Sequence, residues 1–529
     1  MKRILSVLLA VVLLVTLAVP AMAAETTTKN AFVTYRGISI VVNGATIVPR
    51  DPNGKAVEPF VYNGSTYLPM RAVANALGLD VGWDNATSTI TLTKGGPTAV
   101  DVGLPKMSYE TKTISIAFRG ITLMLDGKTV DLKDANGDPV EPFIYNGTTY
   151  LPLRAVADAL GVAVDWDGET STVYLGDRVE FLPSKETSSA FGVTSTTTYT
   201  YDSKGNLTSE ATVDGEGNKS TTKYTYDSYG NLSKAEYSDA AYTYTEQWVY
   251  DANGYLLGNK YTEAEDGYTW TSSDQYTYDE NGNMLTWKYE SDYGDGDKYS
   301  DVTTYTYDAN GNCVKEVCVA DDGYTYTILY TYDSQGNLVK VVDDDLEYGY
   351  TEEYTYDAKG NLLTDKYTDA YGYSSTDTYT YDANGNILTN VYTDSDGWSY
   401  SDKYTYDAKG NLLTYVSEDS DGWNYAETYT YDANGNVLTE TVDDNGTVTS
   451  TAYTYNEVGL PVTISGTESG IKFTATVTYN SGNLPVSAHY VMEGMTYTMK
   501  FEYDEYGNPT YMDLGLGMSA AYEYIMVKK

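Results

Sequence analysis

The chain has 529 residues, with 33 Lys+Arg against 75 Asp+Glu, 57 Tyr, 47 Gly, two Cys and a single His. A formal charge of −42 argues against nucleic acid or an anionic membrane surface as partner, because both are bound through Lys and Arg. One imidazole and two thiols cannot supply a His-based metal centre, a Ser-His-Asp triad or a disulfide scaffold.

Lys2 and Arg3 precede an apolar run from Ile4 to Val19, and Pro20 and Ala21-Met22-Ala23 follow it. This order of charged, apolar and small residues predicts a secretory signal over 1–23, cleaved after Ala23. Cleavage removes two positive charges and takes the formal charge from −42 to −44. No later stretch has the ~20 apolar residues that a membrane-spanning helix needs.

A duplication follows. Tyr35-Arg-Gly-Ile-Ser-Ile-Val-Val-Asn-Gly returns as Phe118-Arg-Gly-Ile-Thr-Leu-Met-Leu-Asp-Gly, and Pro59-Phe-Val-Tyr-Asn-Gly-Ser-Thr-Tyr-Leu-Pro returns from Pro142, both 83 residues on. Asn63-Gly64 and Asn146-Gly147 lie between β-prone residues, and Asn-Gly readily supplies the two positive φ angles of a tight hairpin. A short helix is expected next, with Pro69 or Pro152 at its start, Gly78 or Gly161 at its end, and Val73, Ala76 and Leu77 (Val156, Ala159 and Leu160) as its apolar stripe. Trp83-Asp84 and Trp166-Asp167 then lead into closing strands at Thr89 and Thr172.

The run Asn-Gly-x-Thr-Tyr-Leu-Pro-x-Arg-Ala-Val-Ala-x-Ala-Leu-Gly, followed by Trp-Asp, resembles the copper amine oxidase N-terminal-like domain, also called the stalk domain. The resemblance implies two α+β modules, over 32–95 and 113–177, with linkers at 96–112 and 178–190, acting as accessory stalks on a bacterial surface protein. Neither copy contains a His or Cys with which to hold copper. Arg71 and Arg154 are expected in structural pairs, with Glu58 and Glu141 as candidate partners.

From about Phe191 onward, Tyr-Thr-Tyr-Asp-x-x-Gly-Asn-Leu recurs, and 50 of the 57 tyrosines lie in this region. Thirteen repeat glycines, from Gly205 to Gly507, stand 23 to 29 residues apart. In Trp398-Ser-Tyr-Ser-Asp-Lys-Tyr-Thr-Tyr406 aromatic residues occupy 398, 400, 404 and 406, the period-2 pattern of a strand with two unlike faces. Asp407-Ala-Lys-Gly410 supplies a turn with a positive-φ glycine, and Asp419-Ser-Asp-Gly422 turns the chain back. Each repeat is thus two antiparallel strands, and thirteen repeats predict ~26 strands. A flat ribbon would leave an aromatic face in water, so the sheet is expected to coil into a spiral, a tube or two layers.

This motif resembles the YD repeat, known from Rhs and wall-associated proteins, over roughly residues 190 to 510. The resemblance implies β-hairpin spirals or shells at the cell surface or exported from it. The expected fold is mainly β: two small α+β modules, then one long antiparallel hairpin array over 191–529. The units are longer and more regular in their acidic turns than the family's typical repeat, and the sequence carries no Rhs-type core signature, so a toxin shell is not the expected role.

Carboxylates are so frequent that spacing singles out no catalytic pair. Asp382 and Asn384 in one turn, and Asp394 and Asp396 in another, resemble fragments of calcium loops. The full ligand spacing is absent, and an Asp capping its own turn is the preferred reading. Weak calcium screening of the negative charge is the one cofactor role expected, and no other is. Tyr268, Tyr324, Tyr350, Tyr373, Trp398 and Trp423 each follow a turn Gly at one height of the array, where they could form a ladder for sugar rings of a cell-wall or host polysaccharide, or fill the core. Cys313 and Cys318, five apart in one strand, should face opposite ways and stay unpaired. His489 is assigned a structural role.

These features predict an exported, non-enzymatic structural or adhesive protein of the cell surface. A glycan-active hydrolase and a toxin-carrier remnant are the alternatives.

Overall fold

In a computed structural model, which describes residues 26–528 apart from 52, 97–100, 135–136, 295, 346 and 469, the duplicated region folds as an interlocked pair. The signal over 1–23 lies outside the described residues. The first copy contributes β1 (Thr27–Arg36), β2 (Ser39–Val42), β3 (Ala45–Thr46), β4 (Phe60–Tyr62), β5 (Ser65–Pro69), α1 (Met70–Ala76), β6 (Leu79–Asp84) and β7 (Thr89–Lys94). The second repeats them as β8 (Tyr109–Phe118), β9 (Thr122–Leu125), β10 (Lys128–Val130), β11 (Phe143–Tyr145), β12 (Thr148–Pro152), α2 (Leu153–Leu160), β13 (Val164–Asp167) and β14 (Thr172–Leu175).

The local signals act as expected. Asn63 and Gly64 have φ of 47° and 76°, and Asn146 and Gly147 have 47° and 75°, the doubly positive turn that joins two short strands without splaying them. Pro69 and Pro152 cap the helices in extended conformations, and Gly161 ends α2 at φ 68°.

The sheets cross between the copies. A six-stranded closed barrel runs β1-β4-β5-β12-β11-β8, with β1 and β8 antiparallel along their full lengths. On one side of it the hairpin β9-β10 joins β7 and β6 through a parallel β7-β9 pairing, and on the other β2-β3 joins β14 and β13 through a parallel β14-β2 pairing. Three cores result, each drawing on both copies. Phe60 and Phe143, both 0% exposed, centre the barrel, while α1 and α2 close the flanking cores through Ala74 and Val156 and through Val73 and Ala157. Modules 1 and 2 are therefore sequence repeats whose strands share every sheet.

The other 28 strands form one antiparallel barrel, from β15 (Val179–Ala190) to β42 (Met518–Lys528), each paired with its chain neighbour. The thirteen expected hairpins account for 26 of them. The remaining two, β15 and β42, pair with each other from Val179↔Lys528 to Ala190↔Met518 and close the ring. Residues 178–190, expected as a linker, are thus mostly a barrel strand; its Ser- and Thr-rich sequence lacks the repeated aromatic motif, so periodicity passed over it. At ~4.8 Å per strand the circumference is about 134 Å and the diameter at least about 43 Å, more with strand tilt.

The Asp-x-x-Gly-Asn hairpin ends are built alike. The Asp407 carboxylate accepts hydrogen bonds from the Lys409 and Asn411 backbone amides (2.7 and 2.9 Å) and from Asn411 Nδ2 (2.9 Å), and Gly410 takes φ 89°. A bulge follows between Thr405 and Tyr406. The bulge leaves Leu413 outside the ladder, and the hydroxyl of the next repeat's second tyrosine donates to the carbonyl of the residue just before it: Tyr431 Oη to Leu412 O at 2.6 Å, as Tyr406 does to Ile387 O at 3.0 Å. Thirteen tyrosines, from Tyr201 to Tyr524, make this bond at 2.6–3.0 Å. Tyr201 makes it to Pro183 O, at the bulge of β15. The hydroxyl, as well as the ring, explains why the motif is written in tyrosine.

The repeat at Asn480 departs from this frame. Positive φ falls on Asn483 (62°), one residue after Gly482. Gly482 serves instead as the seat for the duplicated region: a Cβ there would lie 1.9 Å from Val102 O. Leu104 N donates to Gly482 O (2.8 Å), Asn483 Nδ2 donates to Leu104 O (2.9 Å), and Arg50 bridges Asp101 and the Ser481 carbonyl. The first region therefore docks on the rim formed by the Asp-x-x-Gly-Asn turns.

Candidate functional site

The two faces of the barrel wall differ in chemistry. One carries tyrosines with interspersed acids: Tyr404 pairs with Tyr415 (rings 5.0 Å apart) and Asp402 with Ser417, and Tyr415 Oη donates to Asp402 at 3.2 Å. Burial raises the pKa of Asp365 and Asp377 on this face, with neighbouring carboxylates adding to the effect. The opposite face carries threonine pairs, such as Thr405 with Thr414 at 2.7 Å, among Lys366, Lys403 and Glu418. A transmembrane β-barrel requires an outward apolar band ~25 Å tall, and charged residues interrupt both faces. No helix among the described residues is long and apolar enough to cross a membrane.

The six aromatic residues singled out in the sequence stand on the tyrosine face beside the turns of the rim opposite the docked region. Tyr324, Tyr350, Tyr373, Trp398 and Trp423 belong to five consecutive hairpins, and Tyr268 lies on an earlier one. They divide into two groups. Tyr350 and Tyr373 are half-buried against Tyr367, with ring centroids 5.7 and 6.5 Å away, and Tyr373 Oη bonds Tyr392 Oη at 2.8 Å. Trp398 leans on Tyr392 and Tyr400, and Trp423 on Tyr425, yet 39% and 41% of their surfaces remain exposed. Tyr324 and Tyr268 are more open, at 45% and 72%. Core filling and display thus both occur at this one position of the repeat. Tyr348 and Tyr371, at 69% and 77% exposure, extend the display from within turns; their irregular placement hid them from a search by repeat phase.

The four residues considered for calcium do not converge. Asp382 and Asn384 sit at one rim and Asp394 and Asp396 at the other, separated by the strand Ile387–Asp394. The Asn386 amide and nearby backbone N–H groups hold the Asp382 carboxyl below the usual carboxylate range. Asp394 Oδ1 accepts from the Asp396 and Trp398 amides at 3.0 and 2.9 Å. Among the described residues no group of three or more His, Cys, Asp or Glu is placed to hold a metal ion. The copper suggested by the stalk resemblance likewise finds no His or Cys before Cys313.

Cys313 and Cys318 are both free, but the bulge between them puts both on the tyrosine face, opposite Tyr307 and Thr303, where strict alternation predicts opposite faces; His489 Nδ1 bonds Thr498 Oγ1 at 2.8 Å. The expected pairing of Arg71 and Arg154 with glutamates is corrected. Glu58 takes Lys106 (3.4 Å) and Ser108 Oγ (2.8 Å), and Glu141 accepts the Gly120 amide at 3.2 Å. The glutamates are occupied nearer at hand: Glu58 by the segment that joins the copies and Glu141 by the backbone of its own copy.

Comparison with known proteins agrees with this architecture. The copper amine oxidase N-terminal domain matches residues 41–175 and 125–214, and the RHS repeat matches 381–422, 406–448 and 431–471. Neither is a catalytic domain. No curated protein matches the chain. Among solved structures, a porin-like protein from Bacteroides uniformis is 13% identical over 51% of this chain and 96% of its own, with a TM-score of 0.17; a likeness that low carries no argument about function. Along the chain, residues 41–214 thus match the copper amine oxidase N-terminal domain and residues 381–471, within the barrel, match the RHS repeat.

Proposed function

We propose that this is an exported, non-enzymatic structural and adhesive protein of the bacterial cell surface that contacts polysaccharide through its aromatic rim. The observation that carries the reading is the row of Tyr324, Trp398 and Trp423 on one rim, each braced by a tyrosine yet 39% to 45% exposed. A rigid aromatic platform of this kind suits the C–H faces of sugar rings, and indole surface left in water when packing is available asks for a partner. The strongly acidic remainder keeps the barrel soluble and turns away anionic surfaces.

The test is retention of the protein on insoluble cell-wall polysaccharide. In the Trp398→Ala/Trp423→Ala variant retention should fall with little change in the thermal midpoint. Unchanged retention together with a lowered midpoint would assign both residues to packing and defeat the proposal.

A further inference from the structure

The interlock creates two related clefts where the copies meet. One, about 410 Å³, is lined by Arg71, Val81 and Trp83 from the first copy and by Arg119, Ile144 and Thr148 from the second. The other, about 420 Å³, has Arg154, Val164 and Trp166 with Arg36, Val61 and Ser65, the same positions with the copies exchanged. Both volumes suit a small ligand or one or two sugar rings.

Their electrostatics differ. Asp134 and Asp165 join the arginines in the second cleft, whereas among the described residues no carboxylate lines the first. A smaller hollow beyond Arg71 holds Asp51 and Asp101, but Asp101 is engaged by Arg50, and Asp51 accepts the Asn53 and Lys55 amides. The second difference concerns the inner arginine. Arg36 is exposed, while Arg119 is half-buried, donates to Asn85 Oδ1 at 3.3 Å and lies 6.0 Å from the Trp83 ring. Its Nε is buried with no hydrogen-bond partner among the described residues. A buried donor left unmatched costs free energy, and a carboxylate presented to a guanidinium edge is its natural acceptor. Gly168 replaces Asn85 in the second cleft. All seven arginines of the chain lie at or before Arg178, so a doubly cationic cleft stands out in a protein of formal charge −42.

We propose that the Arg71–Arg119 cleft binds the carboxylate of an acidic sugar, a hexuronate unit of an anionic polysaccharide. Arg119 and Arg71 hold the carboxylate, Trp83, 40% exposed, lies against the pyranose ring, and the Thr148 and Thr149 hydroxyls stand near its hydroxyls. Val81 and Ile144 keep water from one side and strengthen the charge contact. This site is independent of the barrel rim.

Calorimetric titration of the full-length secreted protein with an oligogalacturonate, against a neutral galactose oligomer, tests the assignment. The uronate should bind and the neutral oligomer should not. Arg71→Ala and Arg119→Gln should each weaken binding about ten- to hundredfold, the range for a charge-assisted contact. Arg71 is exposed, so its variant should keep the parent's melting profile, and Arg154→Ala in the sister cleft should bind as the parent does. Absence of uronate binding, equal binding of the neutral oligomer, or an equal loss in Arg154→Ala would overturn the proposal. Loss of binding only in Trp398→Ala/Trp423→Ala would assign the uronate to the rim instead.

Discussion

The duplicated region and the barrel hold β-sheets together by different means. Among the described residues 41 apolar side chains are nearly inaccessible; 35 of them lie between Ala31 and Leu175, and the twelve largest fully buried ones are all there. The barrel has six, mostly small. Hydrophobic burial thus stabilises the first region in the ordinary way. The barrel relies on a closed ladder, tyrosines stapled to bulges, and aspartates that organise their own turns, all repeated around the ring. The contrast shows that a sheet with almost no dry core can still be fully specified, provided each local device recurs and no strand edge is left open.

Alkali should break this parity most strongly. Burial pushes the hydroxyls of Tyr199, Tyr305, Tyr379 and Tyr404 up to about 12, and many further barrel tyrosines are shifted the same way, against Tyr35, Tyr67 and Tyr150 in the first region. A raised folded value means that stability is complete below the unfolded value of ~10 and is lost as pH rises through the folded one. Between about pH 10 and 12 the barrel should therefore lose stability faster than the duplicated region, followed by calorimetry alongside tyrosinate absorbance. A barrel that loses no stability over this range would mean that the wall tyrosines ionise as freely folded as unfolded.

A core truncation should do the reverse. Phe143, 0% exposed and packed on Phe60, Tyr67 and Tyr150, should cost about 3–5 kcal/mol on substitution by Ala. Only the melting transition of the first region should move; if both fall together, the docking through Gly482 makes one cooperative unit of the two. The smallest effect is expected from Tyr406→Phe, which removes one staple while keeping the ring. A loss of about 0.5–1.5 kcal/mol, confined to the barrel transition in chemical denaturation, is the expected outcome, and no loss would reduce the staple to a coincidence of packing.

Much of this architecture is legible in the residues, because it is local. The Asn-Gly turns, the short helices, the Asp-x-x-Gly-Asn ends and the alternation of Tyr with Thr each depend on a few consecutive side chains. What escaped is what depends on distant segments. Nothing in Val179–Ala190 signals that it pairs with the last strand, since its Ser and Thr residues match the Thr-rich face of any hairpin. The 83-residue offset reveals two copies, but parallel pairing of Thr89 with Thr122 and of Thr172 with Ser39 leaves no local trace. Arg119 and Trp83 belong to different copies, so their cleft is invisible to a motif search. The phase of the repeat marks the rim aromatics, but their division into packed and exposed members depends on neighbours across the ladder.

Closure of the large barrel has an arithmetic consequence. A meander whose first and last strands meet antiparallel must contain an even number of strands, so it can grow or shrink only by whole hairpins. Near-identical stretches such as Tyr-Thr-Tyr-Asp-Ala-Asn-Gly-Asn at Tyr305, Tyr379 and Tyr429 are natural points for unequal recombination, and each unit gained or lost changes the circumference by about 10 Å and the diameter by about 3 Å. Parity survives every such event, and the seam between β15 and β42 stays where it is. The gauge of the tube is therefore a heritable variable that its topology leaves free.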